Sequence, residues 1–178
     1  MKVLKALTLI AFMACVATAS AQHGHGNCGN CPHHQQHQAK STELQYNADG
    51  VETTILTAFP EAKNAKPQAK WTEVYNAVRK LIGYAVYSKP ASDGIKGFGG
   101  ETPVMIALNP DKVIVGVYLL PNAETPKFVQ HVQESGFFNN WNGLTLKEAK
   151  KKKVDTVSGA TYTSRAVALS VQAALEKL

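Results

Sequence analysis

Three hydroxyls fall within six residues, at Ser158, Thr161 and Thr163, in the run Asp155-Thr-Val-Ser-Gly-Ala-Thr-Tyr-Thr-Ser-Arg165. An apolar stripe follows, with Val167, Val171, Ala174, Leu175 and Leu178 at helical spacing. The run is therefore a glycine-bearing turn feeding the N-terminus of an amphipathic helix. The first N–H groups of a helix lack partners inside it, and the helix dipole adds positive character there. An anion, most often a phosphate, is favoured at such a place. Gly159 and Ala160 keep side chains out of the way of a bulky group. On spacing alone, however, Ser and Thr ahead of an apolar helix read first as ordinary capping residues.

A second group of reactive side chains lies in residues 22–42. His23, His25, Cys28, Cys31, His33, His34 and His37 include five of the six histidines of the chain. Neutral imidazoles and thiolates at this spacing can bind Zn²⁺, Cu or Ni²⁺. A Cys-x-x-Cys can also cycle as a dithiol. The background is Gly, Asn and Gln, with no apolar residue to fix a ligand geometry. A flexible arm whose two cysteines form a disulfide after export is the favoured reading, with metal binding the other.

Export is read from residues 1–21. Lys2 and Lys5 form a positive n-region, Ala6 to Thr18 is apolar apart from Thr8, and Ala19-Ser20-Ala21 has the small-x-small cleavage pattern. The apolar run is too short for a spanning helix. The expected product is periplasmic or secreted, not an integral membrane protein. Anchoring by a lipid on Cys15 is a minor alternative. The net charge of +6 over 178 residues is modest and does not indicate a nucleic-acid partner.

Residues 43–178 carry the folded domain. Val51 to Phe59 has helical spacing and ends at Pro60, and 64–68 reads as a loop. Lys70 to Ala77 and Leu81 to Ser88 alternate as strands, and Lys89 to Gly100 is a glycine-rich loop. Pro103 to Leu108 and Val113 to Leu120 are β-branched runs joined by Asn109-Pro110-Asp111, which predicts a hairpin. Helices are expected at Thr125 to Glu134, opened by Pro126, and from Thr161 to Leu178. His131, the one histidine outside the arm, reads as a surface residue. The five lysines at 147 and 150–153 read as a solvated loop ahead of the hydroxyl-bearing turn. The expected fold is α+β: a mostly antiparallel twisted sheet with flanking helices and a long C-terminal helix.

The pattern Asp-x-x-Ser-Gly-Ala-Thr-x-Thr-Ser resembles the flavinylation motif of FMN-binding domains. Such domains occur in the G subunit of RNF electron-transfer complexes and the C subunit of the Na⁺-translocating NADH:quinone reductase. Gly97-Phe98-Gly99-Gly100 and Glu124-Thr125-Pro126 follow the family's order upstream, and the resemblance spans about 83–178. It implies FMN joined by a phosphoester to Thr161 by an ApbE-type flavin transferase, for which Asp155 is a recognition residue. It further implies cofactor contacts at Ser158, Gly159, Ala160, Thr163, Gly99, Gly100, Glu124 and Thr125, with the flavin ring against the glycine loop. Lys127 departs from the family's glycine after Glu-Thr-Pro.

The chain thus reads as an exported electron carrier, with an unknown redox donor and acceptor, rather than a catalyst with its own substrate. A non-redox exported module of the same fold, with a metal-binding arm, is the alternative.

Overall fold

The computed structural model describes residues 43–178. The leader with Cys15, and the arm with its histidines and cysteines, lie outside the described residues. Five strands, β1 (Asn64–Pro67), β2 (Thr72–Tyr75), β3 (Leu81–Tyr87), β4 (Val104–Leu108) and β5 (Ile114–Leu119), pair in sequence order. Every pairing is antiparallel. The helices are α1 (Thr53–Ala58), α2 (Pro126–Glu134), α3 (Leu146–Lys151) and α4 (Thr161–Glu176), with a 3-10 turn at Phe137–Trp141. The α+β expectation holds.

The burial pattern explains the layering. All five residues of β4 are buried, because apolar groups cover both faces of the sheet. Val104, Ile106 and Leu108 pack with Val132 of α2, Ala149 of α3, and Val167, Val171 and Leu175 of α4. Met105 and Ala107 point the other way, to Val51, Ile55 and Ala85. A buried carboxylate organises that second side. Glu52 caps α1 by accepting from Thr54 N–H at 2.9 Å, and accepts from the Tyr87 hydroxyl at 2.8 Å. Burial, then this neighbouring carboxylate, push the Tyr87 phenol well above its ordinary value.

Two segments differ from expectation. Residues 64–68 are not a loop, because Asn64–Pro67 pairs with β2 as an edge strand. Its side chains are nearly all exposed, so no apolar alternation marks it, and Pro67 at its end needs no ladder donor. The lysine run is partly helical, since Lys147, Lys150 and Lys151 lie in α3. Thr145 and Glu148 form a capping box that opens this helix. Thr145→Ala is expected to lower stability by about 1 kcal/mol in urea unfolding, while Thr145→Ser keeps the wild-type midpoint.

Candidate functional site

The site lies where the loop before β4, the segment after β5 and the first turn of α4 meet. Gly97 N–H donates to the Gly100 carbonyl at 2.8 Å, closing the glycine run into a tight turn. Glu124 fastens this turn although it is only 2% exposed. Its Oε1 accepts from the Gly99 and Thr125 N–H groups, both at 2.8 Å, and its Oε2 from Gly100 N–H at 3.4 Å.

The glycines are required by packing. A Cβ on Gly97 would overlap the Glu124 carboxylate and come within 3.1 Å of Thr163 Cα. One on Gly99 would lie 2.6 Å from Thr125 Oγ1, and one on Gly100 2.8 Å from the Ala123 carbonyl. In these directions the space beside the glycines is thus taken by the Glu124 and Thr125 side chains and the Ala123 backbone. Gly99 and Gly100 also border a hollow of about 420 Å³ with Lys89, Lys96 and Asn122.

The start of α4 decides between cap and open site. Gly159 has φ +79°, a conformation that favours glycine. Ala160 is the N-cap and no side chain caps the helix. Among the described residues, no protein acceptor meets the N–H groups of Gly159, Thr161, Tyr162 or Thr163. Ser158 and Thr161 are exposed, whereas Thr163 is buried and its Oγ1 has no hydrogen-bond partner. Buried Ser164 holds the turn instead. Its hydroxyl accepts from Val157 N–H at 2.9 Å and donates to the Ala160 carbonyl at 3.0 Å.

An open cleft of about 440 Å³ lies along α2 beside this turn, lined by Lys127, Phe128, Gln130, His131, Glu134 and Gly159. That volume is within the usual range of small-molecule sites. Phe98 of the glycine loop is 65% exposed, and its ring meets that of Phe128 edge-on at 4.9 Å. Tyr162, beside Thr161, is also exposed. His131 Nε2 lies 2.9 Å from the Ser158 carbonyl. Asp155 is exposed ahead of the turn. The far end of α4 is tied to the start of the glycine-rich loop, where Lys177 Nζ donates to the Tyr87 and Lys89 carbonyls, each at 2.9 Å.

The structure therefore brings Gly97, Gly99, Glu124, Thr125 and Thr163 into one contact group, and places Gly159 beside His131. The family model for the FMN-binding domain matches residues 97–176, from Gly97 of the loop to the last residue of α4. Residues 97–176 are thus similar to FMN-binding domains.

The G subunit of the proton-translocating ferredoxin:NAD(+) oxidoreductase complex of Clostridium ljungdahlii is 29% identical over 106 residues, covering 56% of this chain and 55% of that protein. The G subunit of the ion-translocating oxidoreductase complex of Shewanella piezotolerans is 30% identical over 111 residues, covering 56% and 51%. The chain thus spans about half the length of these curated relatives. A crystal structure of Shewanella oneidensis NqrC is 21% identical, covers 75% of this chain and 73% of that chain, and gives a TM-score of 0.41.

Within the matched residues, sequence reasoning missed three features. Ser164 was legible only as the end of Thr-Tyr-Thr-Ser. The Phe98–Phe128 contact joins residues thirty apart, and the bond from His131 to the Ser158 carbonyl has no local signal. Among the described residues, no helix is long and apolar enough to cross a membrane, and no group of three acidic, His or Cys side chains is placed to hold a metal.

Proposed function

We propose that this chain is an exported flavoprotein that carries FMN covalently on Thr161 and passes electrons between redox partners. The observation that carries the reading is the start of α4, where an exposed threonine hydroxyl stands among four N–H groups without protein acceptors. The orphaned Thr163 Oγ1 and the adjoining cleft suit the same group. A phosphodiester there keeps a negative charge, which those N–H groups and the helix dipole stabilise. Thr161 Oγ1 forms the bond to phosphorus, the donor's bond from that phosphorus to its leaving group breaks, and the departing group takes up the threonine proton. An ApbE-type transferase catalyses that exchange and recognises Asp155. Bound flavin supplies one- and two-electron redox chemistry, and the protein tunes it through hydrogen bonds and charge. Covalent attachment prevents loss of the cofactor from an exported protein far from the cytoplasmic FMN pool.

Co-expression with a flavin transferase tests this directly. The expected product is yellow and heavier by FMN less one water, one flavin per chain. A colourless chain of unchanged mass would refute it.

The lysines give a further expectation. Lys150, Lys151, Lys152 and Lys153 are exposed just before the proposed attachment turn. Exposed charges of one sign raise encounter rates with acidic partners and are screened over ~8–10 Å at ordinary salt. Reduction by an acidic donor, or loading by the transferase, should slow as salt is added. Changing these four to Gln should produce the same slowing at low salt without loosening the flavin. Rates indifferent to both changes would return the run to a plain solvated surface.

A further inference from the structure

We propose that His131 is a positioning residue that latches the attachment turn to α2, and this rests on the reading of Thr161 as the flavin acceptor. His131 projects from the last turn of α2, and its Nε2 reaches the Ser158 carbonyl at 2.9 Å. A carbonyl can only accept, so Nε2 carries the hydrogen. Both the imidazolium and the neutral ring with its proton on Nε2 can make this bond.

The bond acts on one peptide unit. Because the peptide is planar and trans, fixing the Ser158 carbonyl towards α2 fixes the Gly159 N–H on the opposite side. That N–H belongs to the group without protein acceptors at the start of α4. Gly159 has φ +79° and its position lies close to the imidazole, since a Cβ there would stand 3.5 Å from Nε2. Ala160 N–H donates to the Val157 carbonyl at 3.0 Å and closes the turn, but the Ser158–Gly159 peptide inside it takes no part in that bond. Because glycine is freest to change φ and ψ, an outside restraint is what holds that peptide in one orientation. Ser164 restrains the turn on the side of Val157, through Val157 N–H. His131 restrains it at Ser158. Between them the donors that surround the Thr161 hydroxyl are set before any phosphate arrives, which lowers the ordering cost of attachment.

The test compares wild type, His131→Leu, His131→Asn and His131→Gln in the mature chain. The terminal amide nitrogen of Gln can occupy the place of Nε2, whereas that of Asn is too short and Leu has no donor. Two readouts are taken. In the unloaded chain, amide hydrogen exchange at Val157 and Ala160, the turn amides that have acceptors, should quicken roughly three- to tenfold in Leu and Asn, the worth of one hydrogen bond. Gln should restore protection, and exchange in β4 should be unchanged in all four. Under limiting transferase and flavin donor, loading should slow by a similar factor in Leu and Asn and recover in Gln.

Equal exchange in all four proteins, or Gln as fast as Leu, would overturn the latch. Loading that is indifferent to all three variants while exchange responds would overturn its positioning role. Failure of the wild type to load would instead count against Thr161 as acceptor. The exchange measurement decides the latch independently of that outcome.

Discussion

Thr161→Ala protein should emerge from co-expression with a flavin transferase without covalent flavin, at the unmodified mass. The expected loss is complete, because a methyl group cannot form the ester and no neighbouring hydroxyl takes its place. Ser158 lies in the turn, three residues short of the first helical position, and Thr163 is buried with its Oγ1 enclosed, so neither offers an equivalent nucleophile. Thr163→Ala should stay modified, at lower yield where the buried methyl replaces a polar contact to the phosphate. Thr161 is exposed at the first position of α4, so its replacement should leave the unfolding midpoint within about 0.5 kcal/mol of wild type. Peptide mapping that finds the adduct on Thr163 would reverse the assignment, and so would a flavinylated Thr161→Ala chain.

Glu124→Ala should have the largest effect on the frame of the site. Its carboxylate accepts from three backbone N–H groups of the glycine turn and of Thr125. Removing it leaves three donors without their acceptor, with Gly99 exposed and Gly100 and Thr125 half-buried. The expected loss is about 2–4 kcal/mol in urea unfolding, with faster hydrogen exchange at Gly99 and Gly100. Glu124→Gln should recover much of this, since the amide oxygen can occupy the position of Oε1, which takes the two shorter bonds. An Ala variant as stable as wild type, with an unchanged glycine turn, would show that the loop is held by other means.

The parts of this protein that were legible in its sequence are those with strong local patterns. Asn109-Pro110-Asp111 between two β-branched runs specified the β4–β5 hairpin, and the spacing of Val167, Val171, Ala174 and Leu175 specified the buried face of α4. Where side chains carry no pattern, reading failed. β1 exposes nearly all its residues and exists through backbone pairing with β2, which composition does not announce. The start of α3 was legible in principle from Thr-x-x-Glu at Thr145 and Glu148, but the lysines after it read as a loop.

The site divides in the same way. Glycine loop, Glu-Thr-Pro segment and attachment turn were each visible as short motifs, while their mutual contact depends on tertiary packing. The glycines illustrate the limit. Their absence of side chains was plain, but the neighbours that demand it, Glu124, Ala123 and Thr163, lie 23 to 66 residues away in sequence.

The attachment of Lys177 to the Tyr87 and Lys89 carbonyls gives α4 the character of a ruler. The glycine-rich loop leaves the sheet beside one end of this helix and reaches Gly97 against Thr163 at the other. The 16 residues of α4 correspond to roughly 24 Å of helix, so the helix fixes the distance the loop must cover. One residue inserted into α4 would swing its first turn by about 100° relative to its last. Thr161 and Lys177 could not then both keep their neighbours. The same insertion between Asp93 and Lys96 leaves that phase intact, at the cost of the bond from Gly94 N–H to Glu101 Oε1. Length is therefore free to drift in the loop and locked in the helix.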